Sequence, residues 1–151
     1  MLKTRRWVIG GMAGAAGVGV AYTLLARIPK SGPWMELSPP EALQAVQRGE
    51  LLIIDIRRPD EWQRTGLAQG AVPIDMRRGD FISALNKARA SIDQPIAVIC
   101  ARGVRSNRMA NQMHDAGIGP IFDIPEGMLG SGDGPGWIQR GLPLTEWTEQ
   151  G

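Results

Sequence analysis

IAVICARGVRSNRMANQMHDAGI, residues 96–118, decides how this chain is read. Its first five residues form a continuous apolar run with β-branched side chains, the pattern of a strand covered on both faces. Residues 104–116 predict a long helix that stops at Gly117. Between the two lies Cys100 to Arg105, six residues that hold the chain's one cysteine, two arginines and a glycine. A tight loop at such a junction gathers backbone N–H groups, and the helix that follows adds its four unpaired amides and the positive end of its dipole. That nest holds an anion, either the oxyanion of a ligand or the thiolate of Cys100 itself. Gly103 permits backbone geometry that a side chain would block, and Arg102 and Arg105 add positive charge. In the alternative reading Cys100 is a small buried apolar residue at a strand end. Two arginines within five residues and a helix start favour the nucleophile.

Outward from that centre, the chain alternates short apolar runs with helix-period segments. LLIIDI, residues 51–56, is a second buried strand, and IFDI, residues 121–124, a third. Ser38-Pro39-Pro40-Glu41 reads as a capping box with proline at the first helical position, opening a helix through about Arg48. Pro59-Asp60-Glu61-Trp62 leads into a short helix, and Phe81, Ile82, Leu85 and Ala88 recur at helical spacing over 80–90. Strands and helices alternating in this way imply right-handed crossovers, hence an α/β fold with a parallel sheet and helices on both faces. Ligands of such sheets bind beyond the carboxyl ends of the strands, where Cys100 falls. GSGDGPG, residues 130–136, is a surface loop by composition.

Charge is distributed unevenly along the 151 residues. All 15 acidic residues lie at Glu36 or later, whereas five of the 17 basic ones lie in residues 1–30, so residues 31–151 carry 12 basic against 15 acidic, a net charge of −3. The body is mildly acidic and has no basic patch interleaved with aromatics, so nucleic acid is not an expected partner. A single cysteine excludes an intramolecular disulfide and a multi-thiolate metal site.

MLKTRR opens the chain and is followed by 20 uncharged residues, Trp7 to Ala26, long enough to span a bilayer as a helix. Five glycines dilute its apolarity. A buried helix of the domain is the weakest reading, because the segment has no polar face. Thr4-Arg5-Arg6-Trp7-Val8-Ile9 resembles the twin-arginine export pattern, and a retained anchor is the third reading, favoured by the lack of a small-x-small cleavage site. We therefore expect residues 1–27 to be a twin-arginine-like signal or an N-terminal hydrophobic anchor helix that meets the membrane through residues 7–26. A linker over 28–33 and one domain over 34–151 would follow. Lys3, Arg5 and Arg6 against Arg27 and Lys30 bias the N-terminus inward. The domain would face the periplasm from a bacterial inner membrane, or be exported there.

LLIIDIRRPDEWQRTGLAQGAVPIDM resembles the first half of the rhodanese (sulfurtransferase) domain, and IAVICARGVRSNRMANQMHDAGI its second half, with strand, Cys-x-x-Gly-x-Arg-Ser and helix in order. EGM at 126–128 and GWIQRGLPL at 136–144 resemble the domain's close, so the likeness covers nearly all of 34–146. It implies a central parallel sheet of about five strands. It also implies that Cys100 accepts sulfur, that the amides of Ala101, Arg102, Gly103, Val104 and Arg105 cradle an anionic donor, and that Arg102 and Arg105 assist, with Ser106 in support. The reaction would be a double displacement through a Cys100 persulfide, with thiosulfate or a similar small anion as donor. The acceptor, a thiol, a cyanide-like nucleophile or a protein, stays open, and no cofactor or metal is called for. A persulfide carrier or redox-sensing domain working with a protein partner is the alternative; a non-catalytic scaffold is weaker, and phosphatase activity weaker still because of the loop length. Leu67 stands where many relatives have histidine. Phosphatases of related fold carry Cys-x5-Arg, one residue longer than the Cys-x4-Arg here.

Other polar residues read as structural. Asp55 and Arg57 leave the end of a buried strand and would hold the loop in place, Arg57 within reach of Glu61. His114 lies two to three turns from Cys100 on a solvated helix position, and Met109, Met113 and Met128 read as core filler. Arg57-Arg58 and Arg77-Arg78 would help steer an anion if they rimmed the site.

Overall fold

The computed structural model describes residues 33–149, so the expected signal or anchor at 1–27 lies outside the described residues. Among the described residues no helix is long and apolar enough to cross a membrane. The chain runs β1 (Met35–Glu36), α1 (Pro39–Gln47), β2 (Leu52–Asp55), α2 (Pro59–Thr65), β3 (Leu67–Ala68), β4 (Ala71–Pro73), α3 (Phe81–Ala88), β5 (Ile96–Ile99), α4 (Val104–Asp115), β6 (Ile121–Asp123), α5 (Gly136–Gln139) and β7 (Leu144–Thr145). Five strands form one parallel sheet in the order β1-β6-β5-β2-β4, while β3 and β7 pair antiparallel beside it.

The strand runs are apolar throughout because both faces of the sheet are covered. Alternate residues feed two separate cores. Ile54, Ile56, Ile96, Val98 and Cys100 pack with Phe81 and Leu85 of α3 and with Met109 and Met113 of α4. Ile53, Ala97, Ile99 and Phe122 pack on the other face with Ala42 and Leu43 of α1, Met128, and Trp137 of α5. The register that sets Ile53 beside Ala97 and Ile54 beside Val98 keeps these rows on their own faces. Ser38 closes the start of α1, its N–H and Oγ both donating to Glu41 Oε2 at 2.9 and 2.7 Å. Because every strand of the main sheet points the same way, Asp55, Pro73, Ile99 and Asp123 end along one edge, and the loops that leave them meet there.

Candidate active site

Cys100 follows β5 directly and is 1 % exposed, its side chain lying in the core that α4 covers. The turn after it is fixed from behind by the segment that leaves β6. Met128 N–H donates to Cys100 O and Leu129 N–H to Ala101 O, both at 2.9 Å. Gly103 sits at φ +82° as the N-cap of α4, and a Cβ there would overlap the carbonyl of Pro125. Gly127 answers from the opposite side, where a Cβ would come 2.6 Å from Ala101 O. Two glycines thus let two loops touch backbone to backbone.

This packing leaves the N–H groups of Ala101, Arg102, Gly103, Val104 and Arg105 without a hydrogen-bond partner among the described residues. The next amide, of Ser106, donates to Cys100 Sγ at 3.4 Å. Ser106 Oγ lies 3.6 Å from Sγ and donates to Gly103 O at 2.9 Å. Free donors in sequence, together with the start of a twelve-residue helix, make a concentrated positive potential around one sulfur atom.

The two arginines of the loop behave differently. Arg102 is exposed, and no hydrogen bond or ion pair engages its side chain among the described residues. Arg105 is held by Glu61 of α2 through a two-pronged pair, Nη1 to Oε2 at 2.8 Å and Nη2 to Oε1 at 2.6 Å. The Arg105 hydrogen bonds hold the Glu61 carboxyl at about 2, far below its ordinary 4.5, against the upward push of burial. Glu61 in turn holds the Arg105 guanidinium above its usual range. The pair straps α2 across the start of α4.

Arg57 reaches Glu61 as expected, at its main-chain carbonyl, but its principal partner is Asp55. Arg57 and Asp55, both buried, pair with each other, Nη2 to Oδ2 at 2.8 Å and Nε to Oδ1 at 3.0 Å. Arg57 also donates to Thr65 Oγ1, to Gly66 O and, at 3.4 Å, to the main-chain carbonyl of Glu61. With its donors satisfied in this way it anchors α2 to the end of β2, which leaves the Glu61 carboxylate for Arg105. Arg77 pairs with Asp75, and Arg78 with Asp80, so these exposed cations carry neighbouring countercharges. His114 is exposed on α4, and Met109, Met113 and Met128 are buried.

Two buried acids lie near the site that the sequence left unassigned. Glu126, 4 % exposed, accepts from Gly136 N–H at 3.0 Å and from Arg140 Nε at 2.7 Å, pinning the 130–136 loop. Burial pushes its carboxyl up, but Arg140 and the Gly136 amide outweigh that and leave it below the ordinary value. Asp123, 1 % exposed at the end of β6, makes no well-formed hydrogen bond with either carboxyl oxygen among the described residues, although Ser106, Asn107 and the Ile124 amide lie near enough to favour its ionised form. Burial raises it from 3.8 to about 6. A lone acid in the apolar run IFDI was the available signal. Among the described residues no cluster of histidine, cysteine and acidic side chains could hold a metal ion.

The sequence model of the rhodanese-like domain family matches residues 38–130. An uncharacterized protein of Rickettsia prowazekii is 26 % identical over 101 residues, spanning 60 % of this chain and 80 % of its own. The fold is similar to the polysulfide-sulfur transferase homodimer of Wolinella succinogenes, with a TM-score of 0.60 at 23 % identity over 87 % of this chain and 90 % of that one. It is also similar to thiosulfate sulfurtransferase of Pseudomonas aeruginosa, with a TM-score of 0.60 at 23 % identity over 75 % of this chain and 20 % of the larger protein.

Proposed function

The chain belongs to the rhodanese-like domain family, and from that premise we propose that it is a sulfurtransferase that carries sulfane sulfur on Cys100. One observation supports this above all: five consecutive amides, Ala101 to Arg105, have no partner among the described residues, and the sixth donates to Sγ. Backbone N–H groups need an acceptor, water or ligand, and a run of them at a helix start favours an anion. A persulfide's terminal sulfur and the departing oxyanion of a donor are both such groups. The Cys100 thiolate attacks the sulfane sulfur of thiosulfate or a similar anion. The new S–S bond forms as the donor's S–S bond breaks, and its electron pair leaves with sulfite. An acceptor nucleophile then takes the terminal sulfur and returns the thiolate. Arg102, the unengaged cation of the loop, draws the donor in, while Arg105 keeps the loop's shape through Glu61.

Incubation of the full chain with thiosulfate should add one sulfur atom to its intact mass and release sulfite, and Cys100→Ser should abolish both. If no sulfane donor loads the wild-type protein, the reading fails. The deep burial of Cys100 favours a second reading, a persulfide carrier that shields its cargo until a partner protein docks. Under that reading the loaded form persists and turnover with cyanide is slow. Residues 7–26 we read as the membrane-directing segment that places this chemistry at the periplasmic face. Recovery of the full chain in the soluble cytosolic fraction would contradict that.

A further inference from the structure

Ser106 stands at the centre of a competition for one proton. Its hydroxyl holds a single hydrogen, which it donates to Gly103 O, so towards Cys100 it can only accept, with the thiol S–H as donor. Once the sulfur is anionic that direction no longer serves, because a thiolate or persulfide needs the hydroxyl to turn and donate. Asp123 is the third claimant. Its carboxyl is 1 % exposed and makes no well-formed hydrogen bond among the described residues, and the buried Ser106 hydroxyl of α4, which packs on β6, lies near enough to favour its ionised form. A carboxylate buried in this way is expensive, and any donor that can turn towards it will be drawn to it.

We propose that Asp123 is a positioning residue that controls which way the Ser106 hydroxyl points and, through it, the nucleophilicity of Cys100. This rests on the reading of Cys100 as the reacting thiol. Ionised, Asp123 pulls the Ser106 proton away from sulfur and adds a like charge near it. Protonated, it donates to Ser106 Oγ and frees the hydroxyl hydrogen for the sulfur. The groups that face Asp123 come from every neighbouring element. Ser106 and Asn107 of α4 and the Ile124 amide favour the ionised form, and Glu36 of β1 disfavours it. Arg102 and Asp133 line the same cleft of about 400 Å³. Burial exceeds the rest and puts the change near pH 6.

The test compares Cys100 alkylation by iodoacetamide, followed by intact mass, in the full-length wild type, Asp123→Asn, Ser106→Ala and the double variant between pH 5 and 8. The Asp123→Asn rate divided by the wild-type rate should be near unity at pH 5. It should rise through pH 6 to about tenfold, the worth of one charge-assisted hydrogen bond. In the Ser106→Ala background most of that gain should vanish. A ratio that stays flat with pH overturns the proposal, and so does a gain that survives undiminished without the serine hydroxyl. Should Asp123→Asn misfold by circular dichroism, the wild-type to Ser106→Ala ratio carries the test. It must change across pH 6, and constancy there refutes the idea. Alkylation needs no sulfur donor, so a chain that passes this test yet takes no sulfur from thiosulfate refutes the proposed function alone.

Discussion

Arg102 and Arg105 are the same residue type three positions apart, and their surroundings give them opposite work. Arg102 is exposed and, among the described residues, unengaged, so its charge acts at a distance on whatever anion approaches. Arg105 is spent on Glu61, whose carboxylate is 12 % exposed. Arg102→Ala should therefore raise the KM for an anionic donor by about tenfold, with an effect that shrinks as salt rises, and leave the melting temperature unchanged. Arg105→Ala leaves the half-buried Glu61 with Arg58 as its remaining partner and should lower stability by about 1–2 kcal/mol, measured by urea unfolding. Glu61→Gln should cost a similar amount and free Arg105. Equal stability losses for the two arginine variants would show that the division of labour drawn here is wrong.

At the scale of elements, the cysteine loop keeps its shape because the loop after β6 lies against it, glycine to carbonyl on both sides. Gly103→Ala needs a left-handed φ from a residue that resists it and forces its Cβ into Pro125 O. It should destabilise the protein by about 2–4 kcal/mol and abolish sulfur loading together. Gly117→Ala, also at positive φ but with open space around it, should cost only about 1 kcal/mol and leave loading intact. That contrast also separates what can be read in the chain from what cannot. The strands at 52–55, 96–99 and 121–123 and the helices on both faces follow from apolar runs and helical spacing, which are local signals. Gly103 is legible as a turn former for the same reason. β1 and the β3–β7 pair have two residues per strand, too short to show a period, and exist because the rest of the fold offers them partners. The Glu61–Arg105 strap spans 44 positions, and nothing local links its ends. Asp123 likewise takes its character from burial against α4, which a strand pattern does not report.

For the molecule as a whole, the two acids flanking the cysteine loop push stability in opposite directions with pH. Glu61 is lowered to about 2 from 4.5, so the folded state holds its proton less tightly than the unfolded chain. Its contribution is complete above pH 4.5 and is lost as pH falls from there towards 2. Asp123 is raised from 3.8 to about 6, so between those values the folded state binds the extra proton. Stability from this group is present below 3.8 and is lost as pH climbs through 6, because above that burial costs the carboxylate more than the nearby Ser106, Asn107 and Ile124 amide return. The lowered acids Asp75, Asp80 and Glu126 side with Glu61. Together these terms predict a thermal midpoint that rises from pH 2, peaks at about pH 4–5 and declines through pH 6. Asp123→Asn should remove the decline and raise the melting temperature at pH 7.5 by several degrees, roughly the effect of 1–3 kcal/mol. At pH 4 it should change little. Differential scanning calorimetry of the two proteins at these pH values settles the matter. A wild-type midpoint that keeps rising between pH 5 and 7.5 means that Asp123 has found a partner in solution, and the cost assigned to its burial is then wrong.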